Sequence, residues 1–98
     1  MTVTEWLIET HTPVQGFIFR PHVRCKDGFS VSVQASRYHY CTPRETDVDP
    51  REYTHVELVP SESDTIIAPY SEGPDSSVYS QVPVSVVDEL GEKHGGFA

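Results

Sequence analysis

The sequence predicts an α+β fold, with a small antiparallel sheet of about four strands and a C-terminal helix packed on one face. Three observations support this class: residues 21–35 have the alternation and turn of a β-hairpin, two later segments have strand composition, and residues 83–94 have the apolar spacing of an amphipathic helix. A chain of 98 residues suits one domain with a single modest core. The predicted domain, residues 1–98, divides into an N-terminal extension (1–20), a hairpin and the loop that carries the candidate site (21–59), acidic loops (60–77), and a last strand with the C-terminal helix (78–98).

The first predicted element is a short helix near the N-terminus. Thr2 and Glu5 have the spacing of a capping box, in which each side chain accepts a hydrogen bond from the backbone of the other residue. Trp6–Ile8 would supply its apolar residues and Pro13 would end it. So short an apolar run also suits a strand, and the pattern leaves both structures open.

The second predicted element is the hairpin, whose second strand is residues 29–35. Apolar and polar side chains alternate there, so one face of the strand is apolar and the other is rich in hydroxyl groups. Lys26–Gly28 supplies the turn. We predict a three-residue loop with Gly28 in the left-handed conformation, which a bulged hairpin loop requires.

The register of the hairpin follows from the length of this loop. Three loop residues place Cys25 opposite Phe29 and Val23 opposite Val31, whereas two loop residues would place Arg24 opposite Val31. The longer loop pairs apolar residues with apolar residues. Cys25 is therefore predicted to face the core.

The remaining elements are predicted in chain order. Residues 36–52 combine prolines with alternating charges, which is typical of an irregular loop. Residues 54–59 form a strand, Thr65–Ala68 is a possible short strand between acidic turns, and Val78–Val82 forms the last strand. Pro83 is the predicted first residue of the C-terminal helix.

The C-terminal helix has an amphipathic pattern. The predicted apolar stripe consists of Val86, Val87 and Leu90. The residues predicted to face water are Asp88, Glu89 and Glu92. Gly95–Gly96 ends the helix. Gly91 destabilises it by about 1 kcal/mol relative to alanine.

Charge is sorted along the chain. Residues 20–44 hold five of the seven cationic side chains and one acid, whereas residues 45–98 hold twelve acids and two cations, and the net charge is −8. This acidity disfavours direct binding to nucleic acid or to an anionic membrane, and we predict neither. A small anion can still bind locally, and a partner with a basic surface would be attracted.

The predicted location is the cytoplasm, because the first residues lack the features of a signal peptide and no later stretch is long enough to span a bilayer. Cys25 and Cys41 are therefore expected to be free thiols, although the sequence leaves a disulfide open. Together with His22 and His39 they offer zinc a suitable ligand set, but the spacing is unusual for a structural site. We predict no metal and no cofactor.

The candidate site is Ser36–Arg44, a run of guanidinium, phenol, imidazole, thiol and hydroxyl groups with almost no aliphatic side chains. Arginines can bind phosphate oxygens bidentately, tyrosines can stack on a base, and the imidazole and hydroxyl can complete the hydrogen bonds. The predicted ligand-binding residues are Arg24, Arg37, Tyr38, His39, Tyr40, Thr42 and Arg44. Because positions on an extended chain alternate in direction, we expect either Tyr38 or Tyr40 to lie in the core. The alternative is that the arginines pair with the acids that follow and only hold a loop.

Two stretches carry a resemblance to known proteins. They are Cys25–Phe29 with Val33–Ser36 and His39–Arg44, and later Val78–Tyr79 with Val82–Val84 and Lys93–Gly96. Over about residues 22–59 and 78–96 they resemble a group of short, uncharacterised accessory proteins encoded by tailed bacteriophages and prophages. The resemblance implies a protein that acts in the host cytoplasm by binding, and so disabling, a host or defence component.

Binding, not catalysis, is the hypothesis for function. The first hypothesis is a phage counter-defence protein that sequesters a small anionic, nucleotide-type ligand. The alternative is an acidic inhibitor that imitates nucleic acid, as some anti-CRISPR proteins do, and blocks a basic host or defence protein. A Cys41 nucleophile with His39 or His55 as base has no supporting signature, so no enzyme is predicted. The sequence leaves open whether the chain forms a homo-oligomer.

Overall fold

The computed structural model describes residues 1–97 of the chain. The sheet contains β1 (Val23–Arg24), β2 (Ser30–Gln34), β3 (His55–Pro60) and β4 (Tyr79–Pro83), paired in chain order and antiparallel throughout. Two α-helices, α1 (Val3–Glu9) and α2 (Val84–Lys93), and two 3₁₀ turns, Pro50–Glu52 and Ala68–Tyr70, complete the fold. The predicted α+β class with a C-terminal helix is confirmed.

The N-terminal segment is a helix and not a strand. Thr2 Oγ1 accepts a hydrogen bond from the Glu5 N–H at 3.2 Å, and the Glu5 carboxylate accepts one from the Thr2 N–H at 2.8 Å. The predicted capping box is therefore present. Val3 and Leu7, one turn apart, are fully buried, so α1 is stabilised chiefly by its packing on the core.

The hairpin has the predicted register. Val23 lies opposite Val31, and the Cys25 N–H donates to the Phe29 carbonyl at 2.7 Å. Gly28 has φ +96°, in the left-handed region that its loop position was predicted to require. Cys25 is buried, as expected from the pairing of apolar residues across the two strands.

One apolar core joins the sheet to both helices. Its members from α1, the sheet and α2 include Val3, Leu7, Val23, Val31, Val33, Val56, Leu58, Val82, Val87 and Leu90. Burial of a side chain of this size stabilises the fold by about 1.5–3 kcal/mol. Because α1 contributes to it, the N-terminal residues are part of the packed interior.

The prediction of a strand at Thr65–Ala68 is wrong. Residues 65–67 form a turn that leads into the 3₁₀ turn at Ala68–Tyr70. The Asp64 carboxylate accepts a hydrogen bond from the Ile66 N–H at 3.0 Å, and this side-chain bond favours a turn over a ladder. Ile67 is fully buried from within the turn, so its apolar character reflects the core and not a strand.

The C-terminal helix begins at Val84, one residue later than predicted, with Pro83 immediately before it. Asp88 was expected to face water, and this prediction is wrong. Its carboxylate is partly buried and accepts a hydrogen bond from the Val3 N–H at 2.7 Å. An acid at the first turn of a helix satisfies an otherwise unpaired N–H, so Asp88 connects α2 to the start of α1.

Gly95 and Gly96 end α2 as predicted. The Gly96 N–H donates to the Gly91 carbonyl at 2.8 Å and the Gly95 N–H donates to the Glu92 carbonyl at 3.1 Å, the pair of bonds of a Schellman motif. The chain then turns back onto the hairpin, where Phe97 forms a bridge with Cys25.

None of the helices in residues 1–97 has the length and apolar character that crossing a bilayer requires.

Candidate functional site

The candidate site lies in residues 36–47, here called the site loop, which folds back across β3 and β4. The Thr42 N–H donates to the His55 carbonyl at 3.0 Å, and the Thr54 N–H donates to the Thr42 carbonyl at 2.9 Å. The Tyr40 N–H donates to the Glu57 carboxylate at 2.9 Å. These bonds hold the loop against the sheet although the loop has no regular secondary structure.

Gln81 of β4 fixes the same loop from the other side. Its N–H donates to the Tyr40 carbonyl at 3.1 Å, its side-chain amide donates to the Cys41 carbonyl at 3.1 Å, and its amide oxygen accepts from the Thr42 hydroxyl. Gln81 has φ +52°, a conformation that residues other than glycine seldom adopt. The sequence analysis did not identify this residue, because a polar residue in an alternating strand resembles an ordinary solvent-facing position.

Side chains of the site loop alternate between solvent and interior. Tyr38 and Tyr40 are both exposed, whereas His39 and Cys41 are buried. The expectation that one of the tyrosines lies in the core is therefore wrong. The backbone is not extended here, because residues 36–40 form turns and bends, and these turns place the two phenols in solvent and the imidazole and thiol inside.

The buried side of the loop is a hydrogen-bonded cluster around Ser36. The Ser36 hydroxyl and His39 Nδ1 are 2.7 Å apart, and the Cys41 thiol donates to the Ser36 carbonyl at 3.2 Å. Burial lowers the pKa of His39, and burial raises the pKa of the Cys41 thiol. Both groups are therefore neutral near pH 7, and neither faces the outer surface where a ligand would bind.

Arg37 and Arg44, from the two ends of the site loop, line one pocket of about 290 Å³ with Glu45, Thr46 and Asp47. Arg37 is 3.3 Å from the Asp47 carboxylate, and both side chains are exposed. The Arg44 guanidinium lies 4.9 Å from the centroid of the Tyr40 ring. Within residues 1–97, Arg44 makes no ion pair.

The other cations of the basic segment lie elsewhere. Arg24 is in β1 opposite Ser30 and does not line the pocket. Thr42 is at the edge of the site, but its hydroxyl is bonded to Gln81. Of the predicted ligand-binding residues, Arg37 and Arg44 line the pocket, and Tyr40 lies beside Arg44 without lining it.

Arg20 is fully buried and cannot belong to any surface site. Its guanidinium donates to the Ala35 carbonyl at 2.7 Å, to the Thr10 hydroxyl at 2.9 Å and to the Leu7 carbonyl at 3.5 Å. The nitrogen that faces Leu7, Nη2, is also 3.1 Å from His11 Nδ1, which must accept because a guanidinium only donates. Burial and the nearby Arg20 charge lower the pKa of His11, which is consistent with a neutral acceptor.

An exposed group of apolar side chains adjoins the pocket, and we call it the aromatic surface. Its members and exposed fractions are Val14 (68%), Phe17 (45%), Phe19 (69%) and Tyr38 (56%). The Phe17 ring centroid lies 5.7 Å from that of Tyr38. The sequence analysis did not identify this surface, although the alternation of Phe17 and Phe19 with buried Ile18 and Arg20 is a signal for it.

Arg37 of the pocket lies against the turn that carries Val14 and Phe17 of the aromatic surface. Gly16 lies so close to Arg37 that a Cβ atom on the glycine would be 3.1 Å from the guanidinium carbon. The Thr46 hydroxyl donates to the Gly16 carbonyl at 2.8 Å and accepts from the Arg37 N–H at 3.1 Å. The N-terminal residues therefore help to position the site loop.

Both cysteines are free and buried. Within residues 1–97, no group of three or more histidine, cysteine or acidic side chains is arranged to hold a metal ion.

The fold and this loop define a small α+β protein with a four-stranded antiparallel meander and a pocket of mixed charge. Comparison of the chain with protein-family models, curated proteins and solved structures finds no match in any of the three.

Proposed function

We propose that the chain is a binding protein that captures a small anionic, nucleotide-type ligand at Arg37 and Arg44. The observation that carries the proposal is the convergence of these two guanidiniums on one pocket in a chain of net charge −8. Guanidinium groups bind phosphate oxygens bidentately, and Arg44 makes no ion pair within the described residues that a ligand would have to break.

The ion pair between Arg37 and Asp47 does not oppose this proposal. Both side chains are exposed, and an exposed pair contributes only about 0–1 kcal/mol. A phosphate group can therefore replace the carboxylate as the partner of Arg37. Asp47 and Glu45 would then be available to accept hydrogen bonds from ligand hydroxyl groups, which a nucleotide carries on its sugar.

Tyr40 supplies the stacking group. Its ring already carries the planar Arg44 guanidinium and is still half exposed. A nucleobase can stack on either planar group, a contact that contributes about 1–3 kcal/mol per base. Gln81 and Glu57 hold the backbone of this residue, so the ring is positioned before a ligand binds.

Sequestration, and not turnover, is the proposed mode of action. In support, the only thiol of the site loop is buried with a raised pKa, and the neighbouring imidazole is neutral and bonded to Ser36. The resemblance to phage accessory proteins supports a role in the host cell, where removal of a nucleotide signal would disable a defence response.

Arg37→Ala and Arg44→Ala test the proposal. Each should weaken nucleotide binding by about 1.5–3 kcal/mol, because each removes a charge-assisted hydrogen bond. Titration calorimetry with mononucleotides, cyclic nucleotides and cyclic dinucleotides would measure the effect. The matched control is Arg51→Ala, which removes an exposed arginine that is paired with Asp49 and does not line the pocket.

The proposal fails if the unaltered protein binds no nucleotide of this panel. It also fails if Arg37→Ala and Arg44→Ala bind nucleotide as tightly as Arg51→Ala does.

A further inference from the structure

The aromatic surface exposes three aromatic rings to solvent. Phe19 is 69% exposed, and Phe17 and Tyr38 are each about half exposed and in ring contact with one another. Phe17 and Phe19 alternate with Ile18 and Arg20, which are buried. Phe17 and Phe19 therefore project from the same side of the segment. The Phe17 and Tyr38 rings are in contact, and contiguous exposed apolar side chains are typical of interaction sites.

The backbone that carries these side chains is fixed at both ends. Val14 and Phe17 exchange hydrogen bonds at 2.8 and 3.0 Å across a tight turn. At the other end, the Gln34 side-chain amide bonds both the N–H and the carbonyl of Arg20, at 3.0 and 2.8 Å. The aromatic side chains are therefore held on an ordered support, which lowers the entropy lost on binding.

The net charge of the chain indicates which kind of partner would bind. A second copy of this chain would bring another charge of −8, and nucleic acid and anionic membranes are repelled in the same way. Asp47 pairs with Arg37 through Oδ2 at 3.3 Å, but its side chain is 80% exposed, so its other oxygen can accept a hydrogen bond from a further cation. A cationic protein is therefore the favoured occupant.

We propose that the aromatic surface binds a partner protein that presents an apolar segment flanked by lysine or arginine side chains. Phe17, Phe19 and Tyr38 would form the apolar centre of the interface, and Asp47 would lie on its polar rim. Aromatic residues are enriched at the energetic centre of protein interfaces, and charged residues at the rim.

A random library of displayed 15-residue peptides tests this proposal with a defined probe. The immobilised full chain should select peptides in which aliphatic or aromatic residues are flanked by lysine or arginine. The double variant Phe17→Ser, Phe19→Ser should bind the selected peptides at least about 10-fold more weakly than the unaltered chain does. The matched control is Ile8→Ser, which removes an exposed apolar side chain from α1. This variant should bind the selected peptides with the affinity of the unaltered chain.

Three results would overturn the proposal. One is a selection without cationic enrichment, or with no peptide above background. Another is equal binding of the selected peptides by the double variant. The third is that the double substitution instead abolishes self-association in sedimentation, or binding to neutral or anionic vesicles, which would assign the surface to a second copy or to lipid. Arg44→Ala should leave peptide binding intact, so failure here is distinct from failure of the nucleotide site.

Discussion

At the scale of single residues, Arg20 shows how far a side chain can depart from its sequence context. It belongs to the basic segment by position, yet it is fully buried, with neutral acceptors in place of an acid. One acceptor, the Leu7 carbonyl, is in the last turn of α1, where the helix dipole favours a cation. Arg20 thus connects α1 to the residue that follows β2.

Arg20→Met should lower the free energy of unfolding by about 2–4 kcal/mol, because it leaves buried carbonyl and hydroxyl groups without a donor. Urea denaturation followed by far-UV circular dichroism would measure the change. Arg24→Met, at an exposed position of β1, is the control and should change stability by no more than about 0.5 kcal/mol. Equal effects of the two substitutions would contradict the structural role of Arg20.

His94 is a second residue whose environment determines its behaviour. Its Nδ1 is 2.7 Å from the Asp27 carboxylate and its Nε2 is 3.0 Å from the Asp64 carboxylate, and its ring stacks on Phe29. The hydrogen bond with Asp27 is the main cause that raises the pKa of His94, and Asp64 adds to it. Two hydrogen bonds lower the pKa of Asp27: the larger effect comes from the Phe29 backbone N–H and the smaller from His94.

The free energy of unfolding should fall as the pH rises from 6.5, the ordinary pKa of histidine, through the raised pKa of His94. The folded state binds more protons than the unfolded state in this range, so the free energy of unfolding decreases with pH. His94→Gln should flatten this decrease, measured as the urea midpoint from pH 6 to pH 9. His22→Gln, at an exposed position, should keep it. An unaltered pH profile in His94→Gln would be inconsistent with a charged His94.

At the scale of elements, α2 contains a residue that helix propensity alone would misjudge. Gly91 is expected to weaken the helix by about 1 kcal/mol relative to alanine. In the fold, a Cβ atom at this position would lie 2.7 Å from the Phe97 ring. A Cβ atom at residue 91 would therefore require the Phe97 ring to move.

Gly91→Ala should have opposite effects in two backgrounds. In the unaltered chain it should destabilise by about 1 kcal/mol, because the Phe97 ring must leave its partly buried position. In a Phe97→Ala chain the same substitution should stabilise by about 0.5–1 kcal/mol through helix propensity. Thermal or urea unfolding of the four proteins of this cycle would measure both effects. A stabilising Gly91→Ala in the unaltered chain would show that the ring does not pack there.

Elements were predictable where their signals are local. Asp27-Gly28 and the alternation beyond it determine the hairpin register, and Thr2 with Glu5 determines the start of α1. The segment around Ile67 was not predictable in the same way. An Asp64 side-chain bond and burial in the core determine its conformation, and an apolar run does not contain that information.

At the scale of the whole molecule, the site was only partly predictable. The position of Arg37 and Arg44 in a polar loop was evident from composition, and in the structure both residues line one pocket. The burial of Arg20 and the role of Gln81 depend on partners distant in the chain, so no local pattern indicates them. The aromatic surface also depends on tertiary structure, because it joins a turn at residues 14–17 to Tyr38.

The reactivity of the two buried thiols can be used to measure transient opening of the hairpin and of the site loop. Cys25 and Cys41 should react with a disulfide reagent such as DTNB only when the hairpin or the site loop detaches, so each labelling rate would track one opening equilibrium. With Cys25→Ala and Cys41→Ala as single-thiol versions, a nucleotide at Arg37 and Arg44 should slow modification of Cys41 and leave that of Cys25 unchanged. Equal slowing at both positions would indicate a ligand that tightens the entire fold.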